Sequence, residues 1–203
     1  MNLYFLDEKI IYEGILLTRN PDGSINAAAM GYMKIDDSHI MVKPYINTKT
    51  YRNLTETRRG VLCIIDDVKL ITNIVLKRLD ISGIVEIVSD FPEPIISGSK
   101  AALMLSVKDE KLNRKRAEIK CKVDNVLIRE NPNPYSRVKP AIIEMLIYYT
   151  KIKSYMESNM INEALKLVDI VKHNFNIVRE TSFGTVYEDI AGNILNEVLK
   201  VIK

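Results

Sequence analysis

Three short stretches of this sequence hold residue types whose spacing could do chemistry, and none of them carries an acid–base pair. The first is Asn26-Ala27-Ala28-Ala29-Met30-Gly31. A run of small residues in an extended segment lets something flat approach the backbone, whose N–H and C=O groups can then meet the edge of a heterocycle. The same run also suits tight packing inside a small barrel, and on spacing alone that reading stands beside the first. The second is Pro44 to Asn53, where a strand ends and a helix begins, with Asn47, Thr48 or Thr50 available as cap. A helix start presents free N–H donors and the positive end of a dipole, and Lys49 and Arg52 beside hydroxyls would make a phosphate cradle. A capped surface helix with solvated charges is the alternative. The third is Tyr135-Ser136-Arg137, where the planar fork of Arg137 suits phosphate oxygens, or is simply a surface cation beside prolines.

Other candidates are plainer. Asp66-Asp67 follow a strand and read as a cap for the next helix before they read as metal ligands. His39 lies in a strand as a solvated or core imidazole. Arg58-Arg59 suit a helix C-terminus. Cys63 and Cys121 are the only cysteines and sit in apolar runs, which makes them structural thiols ahead of a disulfide or metal pair. With two histidines far apart, a metal site is not expected. There is no glycine-rich phosphate loop, nucleophile elbow, His-Glu-x-x-His or Cys-x-x-Cys, so no catalytic side chain is displayed. Chemistry here would come from a bound cofactor that the protein orients.

The elements that must position these stretches read as β first and α last. Lys9 to Arg19 is a strand, and Asn20-Pro21-Asp22-Gly23-Ser24 is a turn, because Pro presets φ and Gly accepts a positive one. Ile25 to Ile35 alternates, with Asn26, Ala28, Met30, Tyr32 and Lys34 on one face. Asp36-Asp37-Ser38 turns the chain into His39 to Pro44, completing a meander. A short helix spans Thr48 to Arg58, ended by Gly60. Val61 to Ile65 reads as a buried strand, Val68 to Leu79 as a helix, and Ile81 to Val88 as another strand. Phe91-Pro92-Glu93-Pro94 reads as a loop that no regular element could cross. Ala101 to Val107 and Ala117 to Arg129 form a strand pair.

Past Asn131-Pro132-Asn133-Pro134 the period becomes helical. Pro140 fits a first turn, and Ile143, Leu146, Ile147 and Thr150 share a face. Asn159 is the expected cap of the next helix, striped by Ile161, Ala164, Leu165, Val168 and Val171. A last helix carries Val186, Ile190, Ala191, Ile194, Leu195, Val198 and Leu199. The expected class is α+β, with a β domain over residues 1–130 and a helical region over 131–203 packed on it.

Composition narrows the function further. A net charge of +3 with interleaved signs lacks the footprint of a nucleic-acid binder. No stretch has the roughly 18 apolar residues a membrane span needs, and Met1 to Lys9 lacks the pattern of a signal peptide, so a cytoplasmic protein is expected.

Together these segments resemble the DUF447 family of FMN-binding split barrels, related more distantly to flavin reductase and pyridoxamine-phosphate oxidase barrels. The likeness rests on Glu13 to Thr18, Asn26 to Gly31, Pro44-Tyr45 with Thr48, Thr50, Tyr51 and Asn53-Leu54. Gly60-Val61 through Asp66-Asp67 and Ser136-Arg137 leading into Ile142-Ile143-Glu144 add to it. The family pattern has proline where Ala29 stands. The resemblance implies an antiparallel split β-barrel with a C-terminal helical region, holding FMN near the interface of a homodimer. It implies a ring site at Asn26, Ala28, Ala29 and Met30, and a phosphate site at Tyr45, Asn47, Thr48, Thr50, Asn53 and Arg137. Thr18 and Arg19 would lie close by. The implied activity is a flavin reductase-like oxidoreductase that uses reduced nicotinamide, NAD(P)H, with an unknown acceptor. The alternative is a non-catalytic split-barrel dimer that serves as a flavin-binding or protein-interaction module.

Overall fold

The chain begins its ordered architecture with a hairpin whose turn is chemically specified. In the computed structural model, which describes residues 3–203, β1 (Ile11–Arg19) and β2 (Ile25–Asp36) flank that turn. Gly23 takes φ 83°, Asp22 Oδ1 accepts from the Ser24 amide at 2.9 Å, and Asn20 N–H donates to Ser24 C=O at 2.9 Å. Asp36 closes the next turn by accepting from the Ser38 amide at 2.8 Å, and β3 (His39–Val42) returns beside β2.

Helix α1 (Lys49–Thr57) follows, with Thr48 as N-cap accepting from the Tyr51 amide. It ends at Arg58, in the left-handed region at φ 57°. Gly60, expected to end this helix, lies instead in β4 (Arg59–Ile64), where a Cβ would stand 3.1 Å from the Leu17 carbonyl oxygen. The glycine serves close strand approach. Asp67 caps α2 (Val68–Val75) through the amides of Lys69 and Leu70.

The segment from Ile81 to Val88 differs from the expected single strand: a 3-10 turn at Ile81–Gly83 precedes β5 (Val85–Val88). The expected loop at Phe91-Pro92-Glu93-Pro94 is also corrected, because these residues open β6 (Phe91–Ile96). β5 and β6 form a separate two-stranded sheet, and both strands are therefore edges. The register shifts between Glu86 and Val88, so Pro92 and Pro94 fall in an irregular stretch that asks for no ladder N–H.

β7 (Ala101–Asn113) and β8 (Arg116–Ile128) pair along their whole length around a tight turn with Arg114 at φ 40°. β7 outruns the strand expected to stop at Val107; among the described residues its last residues, Lys108 to Asn113, pair with no strand but β8. Six strands close into an antiparallel barrel in the order β1-β2-β3-β8-β7-β4. Leu16, Leu62 and Ile64 are fully buried, and so are the alternate residues Ile15 and Cys63. Both faces of β1 and β4 are covered, which is why Val61 to Ile65 reads as an unbroken apolar run. The covering layer is a cluster of Ile15, Leu17, Val61 and Cys63 with Ile74 of α2 and Phe91, Ile95 and Ile96 of β6.

The chain divides into a unit made mainly of residues 12–135, which holds the barrel, and a second made mainly of residues 136–203. The second packs α3 (Val138–Glu157), α4 (Ile161–Thr181) and α5 (Val186–Val201) against one another. Pro140 lies in the first turn of α3. The buried residues of α3 are Val138, Ala141, Ile142, Met145 and Ile152, whereas Ile143, Leu146 and Ile147 are exposed. Asn159 does not cap α4; it takes φ 59°, and Met160 holds the cap position without a side-chain bond. Asparagine tolerates the left-handed region better than most residues, which makes it as suited to leaving one helix as to starting the next.

Candidate functional site

β2 is three times as long as β3, and this mismatch leaves the first part of β2 without a β3 partner. The β2–β3 register pairs Tyr32 with Val42, Met33 with Met41, Lys34 with Ile40 and Asp36 with His39. Ile25 to Gly31 lie beyond that register, so among the described residues their β3 side has no strand neighbour. An unpaired strand edge offers alternating N–H donors and C=O acceptors. That stretch holds Asn26 and the three consecutive alanines, whose side chains end at Cβ. Ala28 is half-buried, Ala29 exposed and Met30 buried. Bare backbone and missing ladder partners coincide.

At the start of β2 a buried polar network fastens helix α1 to the barrel. Asn26 Nδ2 donates to Thr18 Oγ1 at 3.2 Å and to Thr50 Oγ1 at 3.1 Å. Asn53 Nδ2 donates to Thr18 Oγ1 at 3.1 Å and to Asn20 Oδ1 at 2.9 Å. Both amide protons of each asparagine are used, and Thr18, Thr50 and Asn53 are buried. Four of the sequence-predicted residues, far apart in the chain, are thus brought together, and much of their hydrogen-bonding capacity is directed at one another.

The remaining candidates of the second stretch line the entry to α1. Thr48 Oγ1 donates to the Tyr45 carbonyl at 2.7 Å, and Asn47 is exposed. Lys49 and Arg52 share a shallow polar basin with Asn20, Pro21, Asp22, Ser24, Asn53 and Glu56. Bonds from the Ser24 hydroxyl and amide hold the Asp22 carboxyl below its ordinary range.

Sequence reasoning missed Arg116. Its guanidinium donates to the Tyr45 hydroxyl at 2.7 Å and also lies 4.2 Å from the centre of that ring. That bond and the positive charge lower the Tyr45 phenol from its usual value. The β7–β8 arm delivers it: Ala117 N–H donates to Pro44 C=O at 3.0 Å, Ile46 N–H to Lys115 C=O at 3.2 Å. Tyr51 donates to Glu110 Oε1 at 2.7 Å, which raises its phenol. The signal available was the nearly unbroken polar run from Lys108 to Arg116 between two apolar strands, which suits a solvated two-stranded arm.

The other predicted residues lie elsewhere. Arg19 pairs with Glu93 Oε2 at 2.9 Å. Arg137 stands at the N-cap of α3 in the helical unit, without a side-chain cap bond. Cys63 and Cys121 are buried free thiols. No group of three or more metal-ligating side chains occurs among the described residues. Among the described residues, no helix is long and apolar enough to cross a membrane.

Comparisons with known proteins align with this architecture. A sequence model described as "Protein of unknown function (DUF447) N-terminal domain" matches residues 12–130, more than half of the chain. No curated protein matches. Among solved structures, an FMN-bound DUF447 protein from Methanosarcina mazei is similar at TM-score 0.54 and 17% identity, covering 96% of this chain and 97% of that one. The styrene monooxygenase flavin reductase of Pseudomonas putida S12 is similar at TM-score 0.52 and 12% identity, covering 60% of this chain and 83% of its own. An FMN-binding protein from Thermus thermophilus with bound 1-cyclohex-2-enone is similar at TM-score 0.51 and 14% identity, covering 58% and 70%. At these identities the likeness establishes a shared split-barrel fold.

Proposed function

This chain belongs to the DUF447 family, and from that premise we propose that it is a flavoprotein holding FMN against the unpaired stretch of β2. The observation that carries the reading is the coincidence of three alanines with the part of β2 that β3 leaves unpaired. The residues present fit the group. A tricyclic ring needs open backbone with donors and acceptors along its edge, and Asn26 to Met30 offer both. A phosphate needs N–H donors and cations, and the start of α1 supplies them beside Lys49 and Arg52. The FMN bound to the Methanosarcina mazei protein supports the same reading.

In this proposal Ala28 and Ala29 leave room for the ring, and Met30 supplies an apolar wall. Thr48 and Asn47 face the phosphate with Tyr45 beside them. Asn26, Thr50, Thr18 and Asn53 fix the separation between ring site and helix start, because their mutual bonds lock α1 onto the strand ends. Arg19 lies near by, and Arg137 enters the reading only through the family resemblance. Bound FMN would supply two-electron chemistry, accepting hydride from a reduced nicotinamide and passing electrons to an acceptor. A homodimer in the cytoplasm is part of the proposal, as is a boundary between barrel and helical region near residue 130.

The test is optical. Purified protein should be yellow, with near-ultraviolet and blue absorption bands that survive gel filtration, or should take up added FMN stoichiometrically. A colourless protein that refuses added FMN would sink the reading. Oxidation of NADH or NADPH by the flavin-loaded protein then tests the reductase step separately.

A further inference from the structure

A second cleft lies against the outer layer of the barrel. It is lined by Leu17, Ile25, Val61 and Met104 from four strands, with Pro94 and Glu93 of β6 along one side. Leu17 and Val61 belong to the covered apolar cluster, and Ile25 and Met104 pack against that cluster while staying partly exposed. The cleft is therefore a place where the outer core reaches the surface. Its volume is about 80 Å³ with an open mouth, which suits a single small ring.

The charges on its lining are few and unequal. Arg19 is held by Glu93 at 2.9 Å, a pair that straps β6 to the end of β1 and cancels its own charge. Arg59 also lines the cleft, is exposed, and has no ion pair or side-chain hydrogen bond among the described residues. The remaining polar lining side chains are engaged: Thr57 directs its hydroxyl to the Asn53 carbonyl at 2.8 Å, and Thr18 Oγ1 accepts from Asn26 and Asn53. Two cations and one anion leave a net charge of +1 at the rim of an apolar slot. Small-molecule sites commonly combine apolar walls with one well-placed polar group that sets orientation.

From this geometry we infer that the cleft binds a small organic monoanion, an aromatic or branched aliphatic carboxylate whose apolar body seats on Leu17, Ile25, Val61 and Met104 while Arg59 takes the carboxylate. The fork of a guanidinium matches two carboxylate oxygens, and it costs no existing contact to turn Arg59 toward them. The inference does not require bound flavin: most of the cleft comes from β1, β4, β6 and β7, and Ile25, the first residue of β2, and Thr18 are shared with the region proposed to hold FMN.

The test uses 4-phenylbutyrate and its uncharged counterpart 4-phenylbutanol, titrated into the full chain carrying 13C-labelled methionine methyl groups. The Met104 methyl, assigned by Met104→Leu, should move with both ligands, and the acid should bind about fivefold more tightly than the alcohol, as one rim ion pair allows. Arg59→Met keeps the apolar stem and should erase that preference without altering thermal unfolding. Equal affinity for acid and alcohol, or a Met104 methyl that stays still, overturns the inference. The titration is repeated with saturating FMN. Unchanged phenylbutyrate affinity supports a separate site, and displacement by FMN overturns it by assigning the cleft to the flavin. Failure of FMN to bind at all would sink the flavoprotein reading and leave the carboxylate result to stand on the first titration.

Discussion

Asn53 reaches from the middle of helix α1 to Thr18 at the end of β1, donating to its hydroxyl oxygen at 3.1 Å in a fully buried contact 35 residues apart in the chain. Through Thr18 the same network includes Asn26, and through Asn26 it includes Thr50. One asparagine on a helix thus sets where that helix sits over the strand proposed to receive the flavin ring.

Removing it should cost stability. Asn53→Ala removes one of the two donors to Thr18 Oγ1 and the donor to Asn20 Oδ1, and is expected to destabilise the barrel by roughly 2 kcal/mol. A urea-unfolding cycle with Thr18→Ala should show coupling between the two positions. Strict additivity would mean that the contact does not form in solution.

Thr48→Asp separates the phosphate claim from stability. Aspartate caps a helix about as well as threonine, so the unfolding midpoint should hold. The added negative charge should weaken FMN binding by at least about tenfold. Unchanged FMN affinity, read by flavin fluorescence quenching, would move the phosphate elsewhere.

Two glycines should respond differently to alanine. A Cβ on Gly14 would meet the Cys63 carbonyl oxygen at 2.9 Å and the Tyr32 ring at 3.2 Å, and backbone oxygen cannot swing away. On Gly60 the contact with the Leu17 carbonyl is 3.1 Å. Gly14→Ala is expected to lose roughly 2 to 3 kcal/mol in thermal or urea unfolding, and Gly60→Ala less.

The thiols should be silent in the native state. Burial pushes Cys63 up to about 11 and Cys121 up to about 12. Because the folded values lie above the unfolded value of 9.0, the neutral thiols stabilise the fold fully below pH 9, and that contribution drains away as pH rises toward 11 and 12. A disulfide reagent at pH 8 should titrate no thiol until denaturant is added, and stability should fall between pH 9 and 11. Prompt reaction of either cysteine would contradict the burial.

Local chemistry was legible wherever neighbours in sequence settle the outcome. Asn20 to Ser24 announces its turn because proline, glycine and a self-bonding aspartate lie within five residues. Thr48 and Asp67 announce helix starts because a cap acts two or three residues away. Asn159 misled because the same short amide side chain suits both a cap and a left-handed exit, and the choice belongs to the packing of α3 and α4. Pro92 and Pro94 misled because a proline bars a strand only where a ladder N–H is required, and a two-stranded sheet has edges to spare. The apolar face read from Ile143, Leu146 and Ile147 had the right period, yet a period does not say which neighbouring stripe meets the other helices.

By itself, then, the sequence determined the order and kind of most elements, the β-to-α change after residue 130, the small-residue run in β2 and a helix start capped by Asn47, Thr48 or Thr50. All of these depend on interactions spanning a few residues. Only the tertiary structure decided that β3 stops short of Ile25 to Gly31, that Thr18, Asn26, Thr50 and Asn53 interlock, that Arg116 arrives beside Tyr45, and that Leu17, Ile25, Val61 and Met104 open a cleft under Arg59. These are relations between strands and helices distant in the chain. They follow from strand lengths and registers that no single segment carries, because a register is a property of two strands at once.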